Sequence, residues 1–327
     1  MFKAERIHTL PADKKTLFDA SGLKQQIEGR YQYTEYSFNY YDTYHEGAYQ
    51  DFRWVVFHQN MPVLALMATR KGGELGYFHF PGRFFECGDR ELVKSAWKFF
   101  LTWLDRQIDT EFIHSLRVYE HPQISLQYLQ SQTTRISRSS MIDLTLSETT
   151  LKANLRKSYK SLVNWGARSM KLHCMDAGNA KMEGFSKFKE FHQEVAGRIT
   201  RSEASWEVQF KMIKDDQAFL VMGYLEEQLV SANLVLFGRK EVFYGVGVNN
   251  RELMKEGKPV SHYPLWYSIL ESKRRGFLYF DMNEVNLHDA DAKLNNISLF
   301  KLGFASEIRT ELESTIIFKD EISKPPQ

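Results

Sequence analysis

The segment that most constrains this chain lies near its C-terminus: SHYPLWYSILESKRRGFLYFDMNEVN over 261–286, then ISLFKLGFAS over 297–306. Tyr263, Leu265, Trp266, Ile269 and Leu270 recur at helical spacing, and Lys273, Arg274 and Arg275 fill the last turn before Gly276. The spacing predicts a helix over 261–275. Phe277 to Phe280 is a short apolar run closing on a carboxylate, Asp281, as a buried strand does. A second helix is expected over 297–302, ending in Phe-Lys-Leu-Gly-Phe.

Upstream, the same order of elements occurs twice. The first half offers a strand pair over 52–70 with Asn60 and Pro62 around its turn, and a strand near 74–81. A helix from Arg90 to about Ile108, a strand over 111–120 and a short helix at PQISLQYLQ follow. The second half offers a strand pair over 218–238, a strand over 242–249, the 261–275 helix, the 277–282 strand and the 297–302 helix. In both halves about 60 residues separate the strand pair from the later single strand, an interval too long for a solenoid unit. Two copies of one α/β domain are expected, and 327 residues are ample for two cores.

Between the halves, TLSETTLKANLRKSYKSLVNWGARSMK (145–171) places Leu151, Leu155, Tyr159, Leu162 and Trp165 on one helical stripe, with Ser147 or Thr149 as cap. Six cations and no acid lie between 152 and 171: Lys152, Arg156, Lys157, Lys160, Arg168 and Lys171. Such a run is either a solvated face or a site for phosphates of a coenzyme, a lipid carrier or a tRNA. The whole chain carries a formal charge of only +2, so the case for an anionic partner is local, and DNA is not expected. A further helix is expected over 184–199, leading into TRSEASWEVQ as a connecting segment.

Several classes are disfavoured. Cys87 and Cys174 are isolated, without zinc or disulfide spacing, and the histidines form no HxxxH or HExxH pair, so no metal is expected. The charged N-terminus lacks the apolar core of a signal peptide, and no apolar run reaches the roughly 18 residues of a membrane helix. A cytoplasmic protein without an integral membrane segment is expected.

The succession LRKSYKSLVNWGAR (155–168), FHQEVAGRITRSEASW (191–206), PVSHYPLWYSIL (259–270), a Phe-Asp strand end and FKLGF (300–304) resembles the FemAB-like branch of the GNAT (N-acyltransferase) superfamily. The likeness is specific over about 140–305 and architectural before that. It implies an α/β (α+β) protein of two tandem GNAT-like domains, each a mixed β-sheet flanked by helices. The first, over 1–143, would be degenerate; the second, over 144–327, would carry the active site. It also implies an acyl or aminoacyl transferase, since relatives add amino acids from aminoacyl-tRNA to peptidoglycan precursors or acylate sugars of surface polysaccharides. The acceptor would be a small molecule, glycan or peptidoglycan precursor. Two departures bear on the donor, acyl-CoA or aminoacyl-tRNA. The glycine-rich loop that cradles coenzyme A pyrophosphate is missing, RELMKEGKPVSHY (251–263) holding only Gly257, and no coiled-coil arm is present.

Direct attack of an amine or hydroxyl on a thioester or ester needs proton removal, oxyanion stabilisation and alignment, but no covalent enzyme intermediate. His262, at the helix start, is a candidate base, or a packing histidine. Asp281 could take or orient the acceptor's proton, or cap a turn, with Asn283 beside it if the strand stays extended. Ser261 would cap the helix or face the cleft. Lys301 matches the Phe-Lys motif that, by the resemblance, lines the substrate cleft; the alternative is snorkelling to solvent. Lys293 and Asn296, in the loop expected before that helix, are further candidates. Arg198, Arg201 and Trp206 suggest recognition of a planar or phosphorylated group. Tyr244 belongs to a strand whose glycines permit close approach, and Arg156, Lys157 and Lys160 are the candidates for an anionic donor. The competing expectation is a binding module that recognises a nucleotide-sugar or peptidoglycan fragment without turnover.

Overall fold

The computed structural model describes residues 1–286 and 291–318. The chain divides into two compact units, one of Met1–Glu28, His45–Ser137 and the residues from Thr310 on, the other of Gly29–Tyr44 and Arg138–Arg309. A single cut at 143 does not describe this division: the segment 29–44 belongs with the second unit and the C-terminal strand end with the first.

In the first unit, Phe2–Arg6, Trp54–His58, Met61–Met67 and Arg83–Glu86 form an antiparallel sheet in that order. The expected strand pair is the hairpin Trp54–His58 and Met61–Met67, turning at Gln59 with φ of +57°. Pro62 lies inside the second strand, opposite Phe57 where the register shifts, a place where a missing amide costs no ladder bond. Ser115–Tyr119 runs antiparallel to Glu307–Ile317 over 313–317 and parallel to Glu74–Gly76. Helix Arg90–Thr110, capped by Asp89, lays Ala96, Trp97, Phe100, Leu104 and Ile108 on these strands.

The second unit is built on strands in the order Lys171–Met175, Ala218–Leu225, Gln228–Phe237, Glu241–Asn249, Tyr279–Glu284 and Gln132–Asp143. All neighbours are antiparallel except Glu241–Asn249 and Tyr279–Glu284, which are parallel. Helices Lys157–Ser169 and His262–Arg274 pack on one side, where Tyr159, Val163, Leu265 and Ile269 meet Phe219, Val235, Val242, Phe280 and Met282.

Several elements differ from the sequence expectation. The 145–171 helix is two, Glu148–Asn154 and Lys157–Ser169, because Leu155 is extended (φ −56°, ψ 139°) and the Arg156 amide donates to Gly303 O at 2.9 Å. The segment expected as a connection is largely the helix Glu203–Lys214, started by Ser202. The last helix begins at Ala292, so Lys293 and Asn296 lie on it rather than in a loop.

Candidate functional site

The geometry of the site follows from two parallel strands that part. Glu241–Asn249 and Tyr279–Glu284 pair only over 241–243 and 279–281. Beyond Phe243 the first strand bends at a bulge: Leu234 faces Val246 and Val235 faces Tyr244, leaving Gly245 as the extra residue. A side chain at Gly245 would stand 2.5 Å from Leu236, and one at Gly247 would stand 1.9 Å from the Tyr244 hydroxyl. Both glycines let the bulged strand hold its course.

Along the bulged strand, beyond its last pairing with Tyr279–Glu284, lies a cavity of about 590 Å³. His192, Val195 and Ala196 of helix Met182–Ala196 line it, with Gly247, Val248 and Asn249 of the bulged strand and Ser261 at the start of helix His262–Arg274. Arg251 and Met254 come from the short helix Arg251–Lys255, and Lys293, Asn296, Ile297 and Phe300 from Ala292–Leu302. The volume falls in the range of small-molecule sites. Burial holds the His192 imidazole down to about 4, helped by the Arg201 charge, so it is neutral near pH 7, with the Thr200 hydroxyl 3.4 Å from its Nδ1.

Of the sequence-derived candidates, Lys293 and Asn296 line this cavity, and so does Ser261. It is buried at the first position of its helix, yet its backbone is helical and its hydroxyl caps no amide, lying instead 3.3 Å from His262 Nδ1. His262 sits one layer behind, edge-on to Tyr159 and Phe300 and tilted to Phe304. Burial in that aromatic nest pushes its pKa down to about 4.

Asp281 lies at the last paired position of the parting strands and is buried. Its Oδ1 accepts from the Asn283 amide at 2.7 Å, Gln32 approaches Oδ2 at 3.5 Å, and Arg309 stands 3.9 Å away while chelating Glu241 at 2.7 and 2.8 Å. Burial raises its pKa, and the Asn283 amide and Arg309 offset part of that rise. Asn283 is not extended: its φ of +73° ends the strand's alternation and turns its amide back to Asp281. Lys301 does not line the cavity and donates to Glu284 O at 2.8 Å. Its burial lowers its pKa to about 8, against the attraction of Asp281 and Glu284.

Tyr244 is bonded to Asn233 at 3.1 Å. With the Asn233 amide turned, its oxygen accepts from the Leu265 amide at 3.1 Å and its nitrogen donates to Ala232 O and Tyr244, joining the bulged strand to the first turn of the site helix. Arg201 stacks 4.4 Å over Trp206 and donates to Gln209 at 3.0 Å, with Tyr40 and Tyr41 within electrostatic reach. Arg201 Nε and Trp206 Nε1 are buried and make no hydrogen bond among the described residues. Arg198 is exposed. Arg156 and Lys157 are exposed at the start of helix Lys157–Ser169 with Lys160 half-buried, and that first turn holds no acid.

Sequence reasoning missed His192, Asn249 and Arg251. His192 follows Phe188 by four residues and precedes Gly197 by five, a spacing that marks a helix end but not a cavity. The segment before the site helix is no anion cradle of backbone amides. Pro259 has none, Val260 N donates to Lys258 O at 3.0 Å, and His262 N to Pro259 O at 3.3 Å. Among the described residues no cluster of three or more His, Cys, Asp or Glu could hold a metal, and no helix is long and apolar enough to cross a membrane.

No protein-family model and no curated protein sequence matches the chain. Solved structures do. FemX is similar at a TM-score of 0.62 and 12% identity, covering 97% of each chain. L-PGS from Bacillus licheniformis is similar at 0.57 and 13%, covering 96% of this chain and 93% of that one. A tandem GNAT protein from the clavulanic acid biosynthesis pathway is similar at 0.51 and 13%, covering 96% and 97%. The likeness in each case covers at least 96% of this chain, and the chain shares the fold of these proteins, that of a tandem GNAT protein.

Proposed function

We propose that the chain is an acyltransferase that moves an acyl or aminoacyl group from a thioester or ester to an amine or hydroxyl, by direct attack. The observation that carries this reading is the cavity along the bulged strand, past the point where it leaves its parallel neighbour, closed by a helix start. A carbonyl held along the bulged strand would meet backbone amides freed from the ladder, the donors an oxyanion needs. His192, neutral and lining the cavity, receives the proton that the attacking group sheds. Ser261 hydrogen-bonds the substrate, and His262 positions Ser261. Asp281 anchors the fork through the Asn283 turn. Arg201 and Trp206, with unused buried donors, bind an anionic part of the acceptor. The acceptor we favour is a cell-envelope or polysaccharide precursor.

The test is single-turnover acyl transfer from a panel of radiolabelled thioesters and aminoacyl esters to amino-sugar and peptide acceptors. His192→Gln should lower kcat at least tenfold with little change in KM. The binding-module reading has one observation in its favour: neither His262, Asp281 nor Lys301 lines the cavity. Tight acceptor binding with no transfer from any donor would establish it and remove the transferase.

A further inference from the structure

The charge and polarity of the cavity discriminate between donors. This step rests on the transferase reading and concerns the group transferred. Val195, Val248, Met254, Ile297 and Phe300 form an apolar wall, and two of these are unusually exposed for their type, Met254 at 47% and Ile297 at 41%. On the same helix as Ile297, Leu294 and Leu299 are also exposed, at 41% and 50%. Apolar surface of this kind at a cavity edge marks a site that buries something apolar. Among the described residues, the charged groups lining it are Arg251 and Lys293, and no carboxylate lines it. An aminoacyl group brings an ammonium, which would meet two positive charges and an apolar wall among the described residues. An alkyl chain on an anionic carrier meets what both kinds of residue offer. Size agrees: at about 30 Å³ per water-sized group, the cavity's volume of about 590 Å³ is far more than a two-carbon acyl group fills.

We infer that the transferred group is an uncharged, elongated acyl chain, seated along Val248, Met254, Ile297 and Phe300, with Arg251 and Lys293 at its anionic carrier. In the transfer the acceptor nitrogen's lone pair forms the C–N bond, the C–S bond breaks, and the sulfur leaves as a thiolate. The amine's proton passes to His192 and from there to the thiolate, giving an amide and a thiol. No oxidant or further reactant enters.

Isothermal calorimetry below micellar concentration, with dodecanoyl-CoA, acetyl-CoA, coenzyme A and dodecanoate, tests this directly. Each methylene that enters is worth roughly fourfold in affinity. With about three to four of its ten additional methylenes buried, dodecanoyl-CoA should bind on the order of 100-fold tighter than acetyl-CoA, with a more negative heat-capacity change. Ile297→Asp, at an exposed position that folding does not need, should abolish that gain, and Ile297→Leu should keep it. Equal affinity for the two thioesters, or tighter binding of an aminoacyl ester that Ile297→Asp leaves intact, overturns the inference while leaving acyl transfer standing. Chain-length-dependent binding of dodecanoate and dodecanoyl-CoA with no product from any acceptor keeps the apolar cavity and removes the transferase.

Discussion

At the scale of single residues, the site depends on where backbone meets side chain too closely to allow exchange. Gly247 is the sharpest case, since the Tyr244 hydroxyl occupies the space a methyl would need. Gly247→Ala must push Tyr244 off Asn233, losing a buried hydrogen bond and straining the bulge, at a cost of about 1–3 kcal/mol. Tyr244→Ala removes the obstruction. The double variant should therefore be less destabilised than the sum of the two single ones, measured by urea denaturation. Strict additivity would show that Tyr244 and Gly247 do not meet. The glycines were visible in FYGVGVN, and so was the chance of a close approach, but the partner was not. Nothing in the sequence states that a tyrosine three residues earlier folds back over the glycine, because that depends on the bulge at Gly245.

Among elements, the strongest periodic patterns were legible, with their ends to within two residues. Arg90–Thr110 and His262–Arg274 follow their apolar stripes, and Tyr279–Glu284 follows its apolar run. The 145–171 stripe misled because Leu155 keeps its apolar contact while leaving the helix, a choice made by the Arg156–Gly303 hydrogen bond between segments far apart in sequence. Asn283 misled in the same way, a single left-handed residue overturning the strand's alternation. The break at Leu155 has a consequence. It puts Lys157 and Lys160 in the first turn of a helix whose Arg156 cap position supplies no side-chain acceptor, where the helix dipole opposes cations. Lys157→Glu should therefore stabilise the fold by about 0.3–1 kcal/mol at low salt. If these cations serve an anionic carrier, the same change should weaken its binding, with a shallower salt dependence. Opposite signs in melting temperature and affinity would identify a residue kept for binding. Loss of both would make Lys157 structural.

For the whole molecule, the fold was legible because a repeated order of elements survives where letters do not, and the site was legible only as a region. Ser261 was placed by its helix start, whereas His192 reaches the cavity from a helix some 70 residues earlier, which no spacing reveals. Burial leaves a global signature that can be measured. His79, His192 and His262 are each pushed down to about 4 by desolvation, from an ordinary value of 6.5. Between those values the unfolded chain takes up protons that the folded chain refuses, so stability is full above pH 6.5 and falls as pH drops toward 4. Asp281 acts in the other direction, because burial raises its pKa and the folded form takes its proton first. Three histidines against one carboxyl leave a net loss. The urea midpoint should fall only slightly from pH 8 to 7, where the folded chain regains the Lys301 proton, and decline more steeply from about 6.5 downward. His262→Leu, which keeps the aromatic nest filled, should make that decline shallower without moving its start. A midpoint that stays level to pH 4.5 would mean that these imidazoles titrate freely in the folded state, and that His192 is protonated at the cavity under mildly acidic conditions rather than held ready as a base.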